Sequence, residues 1–319
     1  MAPRRPFRRV VDGVPRCAWI DPDTYRESQK FQAEKGDLIQ STYPKSGTYW
    51  MQYITQLILK GGEPVRTYDE FTSNTHALEY MKHDGWKPKL PMRMFFTHLP
   101  LHLETMRAHA KYIYAARNPW DVCVSFYHMM TDVSIWNFQD ATFGEFLDAF
   151  LETDLGYGSY FDHVASGYAL KDEPNVFFVT YEEMKRNTRG TILRLARFLG
   201  ECYSSALEAN ETLLQNIIEW SSPEYTRDIL IIDFAENKNP AWKNIFHRNK
   251  LSCKRGHEGD KNKFPMVRTA KIGGWKEHFT PEQLACLEKK IQEEGNKASF
   301  IDLWKDIREE ANVMSQGLL

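Results

Sequence analysis

The sequence predicts an α/β fold of three layers, a central parallel sheet flanked by helices. Three observations carry this. The runs Lys111–Ala116 and Asn175–Thr180 are apolar almost throughout rather than alternating, which marks strands covered on both faces. A helical pattern follows each run at once, and strands alternating with helices build parallel sheets. Finally, Asp37–Thr42 reads as a strand that turns through Tyr43-Pro44-Lys45-Ser46-Gly47-Thr48-Tyr49-Trp50 into a helix, with Met51, Ile54, Leu57 and Ile58 at helical spacing.

In chain order, residues 1–20 read as a flexible arm in which Arg4, Arg5, Arg8 and Arg9 are solvated, and 21–319 as a single domain. Tyr25–Lys35 suggests a short helix ending near Gly36. Residues 61–91 mix Gly, Pro, Asn and charge and read as an irregular connection. Met92–Thr97 is the next strand and leads into His98. Pro119 suits the first turn of a helix running to about Met130. Further helices are expected over 143–152, 159–170, 188–199, 281–294 and 300–310, and Tyr181–Met184 opens another. Residues 228–267 are polar and rich in Lys, Gly and Asn, and are expected to form a mobile lid.

Bulk properties exclude several function classes. A net charge of −2 lacks the basic excess of a nucleic-acid binder. The five cysteines are scattered without a C-x-x-C pair, which suits reduced thiols and neither a disulfide framework nor zinc. No metal-ligand cluster is evident, so no metal is expected. No apolar run is long enough for a membrane span. Met1–Arg9 lacks the apolar core of a signal peptide. The expectation is a cytoplasmic protein with a small-molecule partner, and neither nucleic acid nor membrane.

The chemistry concentrates at Lys45. A tight turn holding Lys and Gly before a helix start is a cradle for a phosphate-like anion: first-turn N–H groups are unpaired and the helix dipole is positive there. Lys45 adds a full charge, and Ser46 and Thr48 add hydroxyls. The order is not the Walker pattern, because Lys precedes Gly. This turn, His98, Arg117 and Tyr181 all sit at the carboxyl ends of their strands, where open parallel sheets bind ligands. Tyr181 alone reads equally well as core or as a ligand contact.

Five stretches together resemble the cytosolic sulfotransferases. Tyr43–Trp50 is similar to that family's P-loop-like 5′-phosphosulfate loop, and Thr97-His98-Leu99-Pro100 to its catalytic-histidine segment. Arg117-Asn118-Pro119 with Asp121 and Ser125-Phe126-Tyr127-His128 resembles its 3′-phosphate segment. Tyr181-Glu182-Glu183-Met184 and Gly273-Gly274-Trp275-Lys276 complete the series, in order, from about Asp37 to Phe279. The resemblance implies transfer of a sulfonate from 3′-phosphoadenosine 5′-phosphosulfate (PAPS), leaving 3′-phosphoadenosine 5′-phosphate (PAP), to a hydroxyl or amine of a small acceptor such as a phenol, monoamine or steroid. It implies that Lys45, Ser46, Gly47, Thr48 and Tyr49 hold the phosphosulfate, and that Arg117, Ser125, Arg268 and Thr269 hold the 3′-phosphate. Trp50, Tyr181 and Ser221 would contact the nucleoside. His98 would be the general base, with His76, His102 and His128 the competing histidines on sequence alone, and Lys45 would stabilise the bridging oxygen.

The chain departs from the family pattern in places. Phe96 stands where a Lys commonly precedes Thr-His. Arg268-Thr269-Ala270 stands for Arg-Lys-Gly, with Lys271 a nearby substitute for the lost cation. Pro223 stands for an adenine-stacking Phe, with Trp220 or Tyr225 as replacements. The dimer motif K-x-x-x-T-V-x-x-x-E reads Lys276 to Ala285 with Pro281 for Val and Ala285 for Glu, leaving monomer and homodimer both open. Acceptor-pocket candidates are Phe96, Met129, Met130, Trp136, Phe138 and Tyr157. Asp132 or Asp140 would pair with an amine. The alternative function is a nucleotide- or small-ligand-binding protein of this fold with weakened catalysis.

Overall fold

The computed structural model describes residues 3–82 and 86–317. A five-stranded, wholly parallel sheet forms its centre, in the spatial order His76–Ala77, Arg93–Thr97, Asp37–Ser41, Lys111–Ala116, Val176–Thr180. The chain leaves the central strand Asp37–Ser41 to one side and returns to its other side with Lys111–Ala116. That reversal opens a crevice between the two strand ends, the usual ligand position in such sheets.

Asp37–Ser41 is buried along its whole length although three of its five residues are polar. Each of these polar residues makes a hydrogen bond, although Gln40 Oε1 has no partner among the described residues. Asp37 accepts from Arg93 (Nε···Oδ1 2.5 Å), Gln40 Nε2 donates to the Thr48 carbonyl at 2.9 Å, and Ser41 Oγ donates to the Leu99 carbonyl at 2.7 Å. The last two bonds tie the strand to the loops beyond it, so the buried polar residues of this strand serve to place the site. Its helix, Thr48–Leu59, packs Met51, Ile54, Leu57 and Ile58 into the core.

Three expectations change. Residues 3–20, expected as a flexible arm, are folded across the body. Arg9–Val11 and Val14–Arg16 form an antiparallel hairpin, Arg5 pairs with Glu152 and Arg8 with Asp154, and Cys17, Ala18 and Ile20 are buried. The first helix is Pro22–Ser28, earlier than expected, because Asp21 caps it by accepting from the Thr24 N–H. The irregular connection contains a helix, Tyr68–Ser73, and the edge strand His76–Ala77.

Residues 228–267 carry a helix, Pro240–Asn249, and a strand, Ile231–Asp233, paired antiparallel with Lys263–Pro265. The stretch resembling a dimer motif is taken up in the chain's own fold. Lys276 pairs with Glu310 at 2.5 Å, and Thr280 and Gln283 form a capping box on the helix Pro281–Glu294. Among the described residues no helix is long and apolar enough to cross a membrane.

Candidate functional site

Four neighbouring strands deliver four groups in spatial order: His98, Lys45, Arg117 and Tyr181 each follow the end of a strand. All four line one cavity of about 200 Å³.

At its centre, the Lys45 loop curls through two left-handed residues, Lys45 (φ 69°) and Gly47 (φ 94°). Gly47 is required twice over. Its φ suits glycine, and a Cβ there would lie 2.9 Å from Tyr181 Cδ2. Gly47 is also the N-cap of Thr48–Leu59 and offers no side-chain hydrogen bond, so the first-turn N–H groups stay available. Thr48 Oγ1 is held 2.7 Å from Thr42 Oγ1.

Three cations converge on this end. Arg117 donates to the carbonyls of Lys45 (3.3 Å) and Lys271 (3.0 Å), lies 3.7 Å from Asp121 and stacks 4.3 Å from the centre of the Tyr181 ring. Burial first, then the charges of Arg117 and Arg268, push the Lys45 amine down to about 8. Burial and the charge of Arg117 likewise lower Arg268. Asp121 Oδ2 accepts from the Gly273 N–H at 3.0 Å, which fixes the late loop against the Arg117 helix. Two buried polar atoms here, Ser46 Oγ and Arg117 Nε, have no hydrogen-bond partner among the described residues. Unpaired donors and crowded cations are costly unless an anion completes them.

His98 stands between this cationic end and an apolar one. Its Nδ1 lies 2.8 Å from the Thr42 carbonyl, which only an N–H can satisfy, so Nε2 carries the lone pair of the neutral ring. Burial, with Lys45 adding to it, holds the imidazole down to about 4. Beyond it the wall is aromatic and aliphatic, including Trp19, Tyr80, Phe96, Tyr157, Trp242 and Phe246. Burial also pushes the Tyr80 and Tyr157 hydroxyls well above the usual phenol range.

The cavity gathers most of the sequence-derived site residues: Lys45, Gly47, Thr48, Tyr49, Trp50, Phe96, His98, Arg117, Ser125, Met129, Tyr157, Tyr181, Arg268 and Thr269. Trp50 and Tyr181 pack edge to face, with ring centroids 5.3 Å apart at 63°. Ser46 lies buried beneath the loop. Ser221 is off the lining and holds Trp50 instead, its carbonyl accepting from Trp50 Nε1 at 2.7 Å. Pro223 itself lines the cavity, as does Thr226, whereas Trp220 and Tyr225 do not. Ala270 holds a left-handed φ of 53°, a conformation glycine would adopt without strain. Lys271 contributes only its carbonyl; its side chain is exposed.

Five pocket candidates are corrected. Met130, Trp136 and Phe138 are fully buried core, Trp136 packing edge-on to Trp19 at 5.4 Å. Asp132 is buried away from the cavity and accepts from the Arg255 N–H at 2.7 Å. Asp140 is on the surface, paired with Lys254 at 3.0 Å. Both acids are consumed by loop residues far along the chain, which spacing alone does not reveal. Sequence reasoning missed Trp19, Tyr80 and Lys185, and the apolar face of residues 228–267. Of these, Trp19 had a readable signal: Asp12-Gly13 between Val-Val and Val-Pro marks a hairpin, hence an ordered segment.

Among the described residues no group of three or more His, Cys, Asp or Glu is placed to hold a metal ion.

A sulfotransferase-domain model matches residues 35–299. The 3-alpha-hydroxysteroid sulfotransferase of Cavia porcellus is 29% identical over 288 residues, covering 86% of this chain and 89% of that protein. Sulfotransferase 1B1 of Mus musculus is 31% identical over 266 residues, covering 80% and 81%. Among solved structures, mouse sulfotransferase SULT7A1 complexed with PAP is similar at a TM-score of 0.65 and 21% identity, covering 97% of this chain and 99% of that one. That likeness concerns the fold.

Proposed function

The chain belongs to the sulfotransferase family, and from that premise we propose that it transfers a sulfonate group from PAPS to the hydroxyl of a small, uncharged, apolar acceptor, with His98 as general base. One observation carries this reading: a single cavity is cationic at one end and apolar at the other, with the free Nε2 of His98 at the boundary.

The residues present suit the donor. At neutral pH it carries roughly four negative charges, divided between a 3′-phosphate and a phosphosulfate. The Lys45 loop, with the unpaired Ser46 hydroxyl, provides one socket; Arg117, Ser125 and Arg268 provide the other. The edge-to-face pair Trp50 and Tyr181 in the same cavity offers aromatic surface for a flat base. The donor supplies the sulfonate and a good leaving group. The acceptor oxygen bonds to sulfur as the S–O bond to the 5′-phosphate breaks. His98 Nε2 takes the acceptor's proton, and Lys45 balances charge growing on the leaving oxygen.

The acceptor end selects against charge. Asp132 and Asp140, which would have favoured an amine, are elsewhere. Among the described residues the acceptor wall offers a cation no carboxylate partner, and buried charges need one. The hydroxysteroid-sulfonating relative named above is consistent with a hydroxyl on an apolar skeleton.

Incubation with ³⁵S-labelled PAPS and matched neutral phenols, hydroxysteroids and phenolic amines tests the proposal. Labelled ester from the neutral acceptors is expected, and its loss in His98→Ala with PAP binding retained by calorimetry. PAP binding without transfer to any acceptor would replace this reading with that of a nucleotide-binding protein.

A further inference from the structure

Every polar atom of His98 except Nε2 is engaged. Nδ1 bonds the Thr42 carbonyl at 2.8 Å, the His98 carbonyl lies 3.1 Å from His163 Nε2, and the His98 N–H donates to Glu79 Oε1 at 2.6 Å. The third partner is chemically out of proportion to its task. Glu79 is only 2% exposed, and a buried carboxylate is a costly acceptor where a carbonyl or amide oxygen would serve.

Its place in the fold accounts for this. Glu79 lies in the turn directly after the edge strand His76–Ala77. Leu78 N–H donates to the Phe96 carbonyl at 3.0 Å, which fastens that turn to the strand ending in Thr97. The Thr97 hydroxyl and the Leu99 N–H face the same carboxyl, and Leu99 N–H also donates to Thr97 Oγ1 at 3.0 Å. The bond from the His98 N–H is the carboxylate's hold on this turn, with Thr97 and Leu99 close on either side and Oε2 without a hydrogen-bond partner among the described residues. Tyr80, the next residue, sets its ring 6.4 Å from the imidazole.

We propose that Glu79 is the positioning residue of the catalytic base: its carboxylate holds the Thr97–Leu99 turn and so fixes where His98 Nε2 meets the acceptor hydroxyl. The proposal rests on the reading of His98 given above. Charge-assisted bonds are about twice as strong as neutral ones, so the ionised form holds the turn better than the protonated form.

Burial pushes Glu79 up to about 7, against the bonds from His98, Thr97 and Leu99 that lower it. The titratable groups facing it are Cys17 and Tyr25 from the N-terminal segment, Tyr80 beside it, Tyr157 across the cavity and His98 itself, on which Lys45 also acts. His98 is held near 4. The anionic donor raises the imidazole in wild type and variant alike, so an acid limb near neutrality that disappears in Glu79→Gln belongs to Glu79.

The test is kcat against pH for the full chain, with saturating PAPS and a neutral acceptor, for wild type, Glu79→Gln and Glu79→Ala. PAP binding is measured in parallel by calorimetry. Wild type is expected to lose kcat as pH falls through about 7. Glu79→Gln is expected to lose that limb and to lower the plateau several-fold, with PAP affinity unchanged. Glu79→Ala is expected to lower kcat by about 10–100-fold, the usual effect of a displaced catalytic group. A merely structural carboxyl would reduce the folded fraction and leave the pH profile of the remaining activity alone. Persistence of the limb in Glu79→Gln, or wild-type kcat in both variants, overturns the proposal. Should the Ala variant not fold, the Gln profile decides alone. Absence of any transfer by wild type would instead overturn the function proposed above.

Discussion

Replacing Lys45 by Met should make the protein more stable and nearly inactive. The Lys45 amine is held down to about 8 from an ordinary 10.5 by burial and by Arg117 and Arg268. Each pKa unit is worth about 1.4 kcal/mol, so the charged amine costs the fold about 3 kcal/mol. Lys45 opens onto the cavity, and screening reduces the recoverable part to about 1–3 kcal/mol. The sign follows from proton counting. Below pH 8 the amine is charged in both states and the penalty is present in full. Between 8 and 10.5 the unfolded chain keeps a proton that the folded chain has lost, so the penalty fades as pH rises. Met keeps the stem's packing without the charge. Its Tm at pH 7 should exceed wild type by a few degrees, at roughly 1–2 °C per kcal/mol for a chain of this size, and the gap should close toward pH 10.5. Over the same comparison kcat/KM should fall on the order of 10²–10³, as when a transition-state charge partner is removed. Scanning fluorimetry from pH 6.5 to 10 and a transfer assay read both effects. A lower Tm for the variant, or an offset independent of pH, would refute the claim that this cation is held at the fold's expense.

Three other substitutions probe the shape and the selectivity of the cavity. Gly47→Ala forces a left-handed alanine, costing about 1–2 kcal/mol, and drives a methyl to 2.9 Å from the Tyr181 ring; PAP should bind on the order of tenfold more weakly by calorimetry, and an unchanged Kd would remove Tyr181 from the donor site. Asp132→Ala and Asp140→Ala should leave the kcat/KM ratio of a phenolic amine to its neutral phenol unchanged. The first should also cost about 1–3 kcal/mol in urea unfolding, because the Arg255 N–H loses its acceptor; a selective loss of amine turnover would restore an acid to the pocket.

What the sequence disclosed and what it hid divide along one physical line. The strands that lead to Lys45, His98, Arg117 and Tyr181 are coded locally, the last two by continuous apolar runs and all four by the turn or helix start that follows, and their ends fall within a residue of expectation. The anion loop is local too, since Lys45 and Gly47 lie two positions apart. The apolar end is not local. Trp19, Tyr80 and Phe246 come from three distant segments and meet only because the sheet and the N-terminal segment fold over one another. Asp132 shows the converse error. It follows the Ser125 helix face in sequence and looks available, but Arg255, 123 residues later, takes its carboxylate. The edge strand His76–Ala77 is two residues long and carries no periodic signal, so the turn that presents Glu79 to His98 was not readable either.

Phe96 bears on how such a site divides its work. Where the resemblance implies a lysine, its ring is 4% exposed and centred 6.0 Å from the imidazole. A cation there would pull on the transferred sulfonate, but it would also press on His98, whose proton affinity burial and Lys45 already lower. A ring removes both effects. In the proposed mechanism it leaves charge balance at the leaving oxygen to Lys45, spares the base a second cation, and carries the apolar wall up to the reacting hydroxyl. In a cavity whose acceptor end has no carboxylate among the described residues, these consequences support the reactant proposed above: an uncharged alcohol, whose proton would pass to a weakly basic imidazole held in place from behind.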